Sequence, residues 1–144
     1  MRTGILLDTG PLVAYLYPRE RYHRWAVEQF AALDAPFVTC EPVLTEACFL
    51  AARVRLAPAR ILDLLQRGLA RIGFEIQEEL AAIRALMQRY ADVPMSLADA
   101  CLVRLAERTD LPILTLDADF SIYRAHGRRP LTLISPERQS LHEP

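Results

Sequence analysis

The sequence predicts an α/β fold in which helices cover both faces of a mostly parallel sheet. Two observations predict it. Short apolar runs alternate along the chain with stretches of helical periodicity, and strands separated by helices in this way favour parallel pairing through crossovers. Hydrophobic residues make up 52% of the chain and charged residues 24%, which is enough apolar surface for a packed core. At 144 residues, we expect one domain over residues 1–144.

Strands are expected where apolar residues run together for a few positions between turn signals. Buried parallel strands are near-continuous apolar runs, because both of their faces are covered. The predicted strands cover residues 4–7, 37–40, 74–77, 113–116 and 131–134.

Helices are expected where apolar residues recur every three to four positions. Thr9-Gly10-Pro11 is typical of an N-cap and first turn, and Pro42 and Pro58 mark two further helix starts. The predicted helices cover residues 9–17, 19–33, 42–53, 58–69, 78–90 and 96–108, and a short turn or helix covers residues 119–123.

Charge and cysteine content exclude several classes of protein. The net charge is -1, so no overall field attracts the chain to nucleic acid or to an anionic membrane. All 17 basic residues are arginines, which excludes mechanisms that need a lysine. The three cysteines fit no zinc or disulfide spacing, and no apolar run suits a signal peptide or a membrane span. We therefore expect a cytoplasmic protein with buried, reduced thiols.

Four carboxylates are predicted to meet at one edge of the sheet. Asp8 ends the first strand, Asp117 follows the strand over residues 113–116, and Asp99 lies in the first turn of a helix. On a helical wheel, Glu46 borders the apolar stripe of its helix, whereas Asp99 points toward apolar neighbours. Ligands of such sheets bind outside the carboxyl ends of the strands.

Each acidic residue also has a structural interpretation. Asp8 and Asp117 would cap the helices that follow them, and Asp99 would form a capping box with Ser96. Glu46 would be a surface residue at a helix edge. Four uncompensated carboxylates would repel one another, however, and a divalent cation removes that repulsion.

Oxygen ligands without histidine or cysteine favour Mg²⁺, with Mn²⁺ as a substitute. Asp119 is predicted to be a further ligand or a water-holding residue. Thr9 and Thr115, which neighbour Asp8 and Asp117, are predicted to support the site.

Four short motifs carry a family resemblance: Leu6-Leu7-Asp8-Thr9, Leu44-Thr45-Glu46-Ala47, Leu97-Ala98-Asp99-Ala100 after Pro94-Met95-Ser96, and Thr115-Leu116-Asp117-Ala118-Asp119-Phe120. In this order and spacing they resemble the PIN-domain ribonucleases, most of all the VapC-type toxins of type II toxin–antitoxin pairs. The resemblance implies a Rossmann-like three-layer α/β/α sandwich and a homodimer. It also implies a small antitoxin that inserts a segment near the acidic site.

By the same resemblance, the catalytic and metal-binding quartet is Asp8, Glu46, Asp99 and Asp117. Its activity would be Mg²⁺-dependent endoribonucleolytic cleavage of RNA, in which the metal lowers the pKa of a bound water for in-line attack on a phosphodiester.

Two arginine-rich clusters are candidates for phosphate contact. They comprise Arg53, Arg55, Arg60, Arg67 and Arg71, and Arg124, His126, Arg128, Arg129 and Arg138. The three histidines are expected to be solvated, with no pair placed as acid and base. Four aromatic residues are candidates for base stacking or for packing, with packing favoured for Trp25: Tyr15, Tyr17, Tyr22 and Trp25.

Two other functions fit parts of the pattern. A phosphatase or receiver-like domain would use Asp8 or Asp117 as an aspartyl-phosphate nucleophile, but the absence of lysine disfavours it. A non-catalytic module of the same PIN fold would bind RNA or an antitoxin without cleavage. Metal-dependent cleavage distinguishes the nuclease from that module.

Overall fold

The computed structural model describes residues 3–33 and 36–136. Their main sheet has five parallel strands in the order β3-β2-β1-β4-β7. These strands are β1 (Ile5–Leu7), β2 (Phe37–Thr39), β3 (Ala70–Ile72), β4 (Ile113–Leu114) and β7 (Leu133–Ile134).

Helices connect the strands as crossovers, and two 3₁₀ turns cover Ile76–Glu79 and Ala118–Ser121. The helices are α1 (Thr9–Leu16), α2 (His23–Ala32), α3 (Glu41–Arg53), α4 (Ala59–Gln66), α5 (Leu80–Arg89) and α6 (Leu97–Thr109). Within residues 3–33 and 36–136, none of the helices has the length and apolar character to span a bilayer.

Two apolar clusters lie on opposite faces of the sheet. Successive side chains of a strand point to opposite faces, and Leu6 accordingly belongs to one cluster while Ile5 and Leu7 belong to the other. The Leu6 cluster contains residues of α5 and α6, and the other contains residues of α1, α3 and α4. This arrangement confirms the predicted α/β/α fold. Trp25 packs against the Ile5 cluster, as predicted.

The third predicted strand was wrong. Residues 76–79 form a 3₁₀ turn, and β3 lies earlier, with Ala70 opposite Phe37 and Ile72 opposite Thr39. The strand was missed because it lies at the sheet edge and carries the exposed Arg71 between two apolar residues. Such a sequence is not a continuous apolar run.

Two local features also differ from the expected elements. An unpredicted hairpin pairs β5 (Arg124–Ala125) with β6 (Arg129–Pro130) through a turn in which His126 and Gly127 both have positive φ. Helix α2 begins later than predicted, because the preceding residues form turns. In α3, only Val43, Ala47 and Ala51 are buried, and the apolar Leu50 is 39% exposed.

A buried ion-pair network attaches the turn before α5 to helix α6. Glu79 is buried, its Oε2 accepts a hydrogen bond from Nε of Arg104 at 2.6 Å, and its Oε1 accepts one from Arg108. Arg104, followed by Arg108, holds the pKa of Glu79 below its ordinary value of 4.5. The carboxylate therefore stabilises the fold in its ionised form.

Replacing this carboxylate should destabilise the protein in a pH-dependent way. We expect Glu79→Gln to lower the free energy of unfolding at pH 7 by about 1–3 kcal/mol, because it removes the charged acceptor that pairs with Arg104 and Arg108. The loss should shrink as the pH falls below 4.5 and through the lower folded-state pKa, where the wild-type carboxyl also becomes neutral. Urea denaturation at pH 7 and pH 3.5 measures both values.

The matched control is Glu78→Gln, because Glu78 is the exposed neighbour of Glu79. Its effect should stay within about 0.5 kcal/mol at either pH. Equal destabilisation by the two variants would contradict the proposed importance of the buried network.

Candidate functional site

The acidic edge, where the sequence predicts that Asp8, Glu46, Asp99 and Asp117 meet, lies at the carboxyl ends of the central strand β1 and its neighbour β4. After β1 the chain adds β2 and β3 on one side of that strand, and it then adds β4 and β7 on the other side. The strand order therefore reverses between β1 and β4. Crevices at such a switch point are where open α/β sheets bind ligands. The N–H of Asp8 donates to the carbonyl of Leu114 at 3.1 Å, which fixes the acidic residue against β4.

Asp8 is a buried carboxylate with only 5% of its surface exposed. It occupies the N-cap position of α1 in an extended conformation, but its side chain makes no capping hydrogen bond. Burial, with smaller contributions from the charges of Asp99 and Asp117, raises the pKa of Asp8 from 3.8 to about 7, although hydrogen bonds from the Thr115 hydroxyl and the Thr9 N–H oppose the rise. The capping interpretation of Asp8 is therefore wrong, and its ionised form lacks charge compensation.

Thr115 connects Asp8 to Asp117. Its buried hydroxyl donates to Oδ2 of Asp8 at 2.6 Å and accepts from the N–H of Asp117 at 2.9 Å. Asp117 is exposed, and its Oδ1 accepts from the N–H of Asp119 at 2.9 Å. Asp117 thus caps the turn at Ala118–Ser121, as its structural interpretation predicted.

Thr9 connects Asp8 to the third helix. Its hydroxyl lies 3.2 Å from Oε2 of Glu46 and 3.5 Å from the carbonyl of Val43. The sequence predicted Thr9 as the N-cap of α1, and this was wrong. Thr9 is the first helical residue, and its hydroxyl is directed toward α3. Glu46 is half-buried, in agreement with its predicted place beside the apolar stripe.

Asp99 is held at the start of α6 by a complete capping box. Its N–H donates to Oγ of Ser96 at 3.0 Å, and the N–H of Ser96 donates to Oδ2 of Asp99 at 3.3 Å. The side chain is 8% exposed, as the wheel predicted. Burial raises the pKa of Asp99 and the charge of Asp117 raises it further, whereas the Ser96 N–H and the Tyr123 hydroxyl lower it.

Sequence reasoning missed Tyr123, whose hydroxyl donates to Oδ2 of Asp99 at 3.0 Å. The side chain is fully buried and packs edge-on against Tyr90 and Phe120. Burial, followed by the charge of Asp99, raises the pKa of this phenol. The only sequence signal was the spacing of Phe120 and Tyr123, which suits two core residues and does not reveal a hydroxyl directed at Asp99.

The structure brings Asp8, Asp99 and Asp117 close enough for their charges to act on one another. Glu46 is linked to this group by its hydrogen bond with Thr9, the residue after Asp8. Among residues 3–33 and 36–136, however, no three His, Cys, Asp or Glu side chains are close enough to hold one metal ion. Mg²⁺ is commonly bound by one or two carboxylates, with water completing its shell. The all-oxygen donor set therefore fits this ion.

The basic residues differ in their availability. Arg53, Arg55, Arg60, Arg67 and Arg71 are exposed. In the second cluster, Arg124 donates to three carbonyls of residues 121–123, and Arg129 pairs with Asp110. His126 and Arg128 are exposed, and Arg138 lies outside the described residues.

Two histidine predictions are tested by the described residues. His23 is half-buried, with Nδ1 2.6 Å from the carbonyl oxygen of Ala14, so the prediction of a solvated side chain was wrong. His126 is exposed as expected, and His142 lies outside the described residues.

Comparisons with known proteins agree with this architecture. The family model described as PIN domain matches residues 5–125. The crystal structure of Mycobacterium tuberculosis VapC20, described as a sarcin–ricin loop cleaving toxin, is similar with a TM-score of 0.74 and 21% sequence identity, over 88% of this chain and 99% of that chain. No curated protein matches the sequence.

Neutralising Asp8 should stabilise the metal-free protein above neutral pH. The folded-state pKa lies above the unfolded value of 3.8, so stability is lost as the pH rises from 3.8 through about 7. We expect Asp8→Asn in EDTA to raise the free energy of unfolding by about 2 kcal/mol at pH 8, after the cost of burying an amide. The gain should vanish near pH 3.5, where wild-type Asp8 is neutral in both states.

Chemical denaturation at the two pH values measures this difference, and Asp63→Asn on the exposed side of α4 is the control. If Asp8→Asn instead destabilises the protein at pH 8, the carboxylate contributes to folding and the site assignment fails.

Removing the Tyr123 hydroxyl should weaken the fold through Asp99. We expect Tyr123→Phe to lower the free energy of unfolding at pH 8 by about 1–3 kcal/mol, because the buried carboxylate loses a donor. Tyr17→Phe, in the half-buried residue after α1, is the control and should change the value by less than about 0.5 kcal/mol. Indistinguishable melting of the two variants would show that the Tyr123–Asp99 hydrogen bond contributes nothing.

Proposed function

Because the chain belongs to the PIN-domain family, we propose that it is a metal-dependent endoribonuclease that hydrolyses RNA phosphodiester bonds at its acidic edge. The observation that carries this proposal is the buried Asp8 at the switch point of the sheet, with the charges of Asp99 and Asp117 acting on it. A carboxylate with that surrounding is stable in its ionised form only beside a compensating cation.

We assign the metal-binding and catalytic roles to Asp8, Glu46, Asp99 and Asp117, with Asp119 as a further ligand or water-holding residue. Asp8 and Asp99 are the buried members of this set. The four carboxylates would supply oxygen ligands for Mg²⁺, or for Mn²⁺ in its place. When bound, the ion would supply Lewis-acid chemistry that activates water and neutralises phosphate charge.

The protein's own hydrogen bonds orient these ligands. Thr115 directs Oδ2 of Asp8, and Thr9 does the same for Oε2 of Glu46. In Asp99, Oδ2 accepts hydrogen bonds from both the Tyr123 hydroxyl and the Ser96 N–H. These two bonds fix the plane of the carboxylate and therefore the direction of Oδ1. Fixed ligands lower the reorganisation needed when the charged substrate arrives.

The fold similarity to a VapC toxin supports a narrower proposal about biological role. We propose that the protein is the toxin of a toxin–antitoxin pair, acts in the cytoplasm as a homodimer and binds a small antitoxin protein. The exposed arginines Arg53, Arg55, Arg60, Arg67 and Arg71 supply positive charge for RNA backbone contact.

A non-catalytic PIN-fold module that binds RNA or an antitoxin is the second candidate. The separation of the acidic side chains favours it, because among the described residues no three converge on one point. The two candidates differ in whether RNA is cut.

Metal-dependent cleavage tests the proposal. Purified wild-type protein should cut total RNA with Mg²⁺ or Mn²⁺ and leave it intact in EDTA. Asp99→Asn should reduce the cleavage rate by about a hundredfold or more, since even residues that only orient metal ligands cost 10- to about 100-fold when changed. Gel analysis of fragments over time gives the rate.

Asp92→Asn is the control, because Asp92 is exposed between α5 and α6. It should cut as the wild type does. Folded wild-type protein that binds RNA but cuts none in either metal would favour the binding module, and cleavage in EDTA would refute metal dependence.

A further inference from the structure

A cavity of about 410 Å³ opens beside the acidic edge. It lies between the first turns of α3 and α6 and the segment that follows β3. Its apolar lining comes from Pro42, Phe74, Ile76 and Leu97, and its polar side chains are Glu41, Thr45 and Glu46.

The cavity shares Glu46 with the acidic edge. Glu46 lines it and also accepts the hydrogen bond from Thr9, the neighbour of Asp8. On the opposite wall, Ala98 lines it directly before the buried Asp99. A group that occupies the cavity would therefore lie beside a phosphodiester at the acidic edge.

The lining combines an apolar floor with hydrogen-bond acceptors. Leu97 is 42% exposed although it is a large apolar residue, and Phe74 is half-buried. Carboxylates of Glu41 and Glu46 accept only, and the Thr45 hydroxyl already donates to the carbonyl of Glu41 at 3.3 Å. The side chains thus suit a flat ring that donates hydrogen bonds at its edge.

We propose that this cavity is a nucleobase subsite for the nucleotide beside the cleaved bond, and that it prefers bases with an exocyclic amino group. The proposal rests on the proposed function and specifies its substrate. Phe74 and Leu97 contact the base faces, and Glu41 or Glu46 accepts from the amino group of cytosine, adenine or guanine. Uracil presents a carbonyl oxygen where cytosine presents that amino group. Because two acceptor oxygens repel each other, a carboxylate at this position disfavours uracil.

Adjacency and chemistry favour a base over a protein side chain. An aliphatic side chain would fill the apolar part and leave the carboxylates without donors. A base satisfies both parts, and an RNA strand at the acidic edge carries bases to either side of its scissile phosphate. A protein segment with apolar and basic side chains is the competing occupant and forms one outcome of the test.

Cytidine and uridine provide the test, because they differ in the amino group and lack a phosphate that the acidic edge would repel. Methyl NMR signals of Ile76 and Leu97 in the full-length protein report binding at this cavity. We expect both signals to shift, with cytidine binding about tenfold more tightly than uridine. Glu41→Gln or Glu46→Gln should reduce the ratio to near one, whereas Glu28→Gln on α2 should leave it unchanged.

The aromatic contact has its own variant. Phe74→Leu should weaken binding of both nucleosides about tenfold, because stacking on an aromatic ring is lost. Phe49→Leu is the matched control, since Phe49 is 61% exposed on α3 and does not line the cavity. Melting temperatures verify that each variant is folded.

Three results would overturn the subsite: no methyl shift with either nucleoside, equal affinities that neither glutamate variant changes, or shifts produced only by a basic apolar peptide. The RNA cleavage assay is scored separately. Cleavage without nucleoside binding would refute the subsite alone, and nucleoside binding without cleavage in any metal would refute the nuclease alone.

Discussion

A carboxylate buried at the end of the central strand is the constraint on which the rest of the site depends. Asp8 has to be buried because it follows β1 in the middle of the sheet, where both faces are covered. Its charge is costly there, and the raised pKa expresses that cost. The hydrogen bond from Thr115 offsets part of the cost without supplying charge.

The surrounding elements are arranged around this constraint. Helix α6 brings a second buried carboxylate, Asp99, and secures it with a capping box and with the phenol of Tyr123. Helix α3 brings Glu46 into contact with Thr9. In each case a neutral hydroxyl orients a carboxylate, so the site is fixed in position while its negative charge stays uncompensated. Under the proposed function, a bound cation would stabilise the folded protein by mass action.

The buried acidic residues differ in whether a basic side chain pairs with them. Glu79 is as buried as Asp8, but two arginines pair with it and lower its pKa. Asp8 and Asp99 have no arginine among the causes of their shifts, and their pKa values rise. Burial alone therefore does not decide the direction of a carboxyl pKa in this fold, because the arginine partners of Glu79 reverse it. The neighbouring cavity adds shape and hydrogen-bond acceptors to the acidic edge.

The sequence by itself determined the strands β1, β2 and β4, the helix periodicity, the capping box at Asp99 and the positions of the acidic residues, because each has a local pattern. Tertiary structure decided where β3 lies, since an edge strand with Arg71 at its centre has no apolar run. It also decided the hydroxyl partners of the carboxylates. Thr115 and Asp8 are 107 residues apart, and Tyr123 and Asp99 are 24 apart. No local pattern encodes such contacts, because they exist only after the sheet has brought the strand ends together.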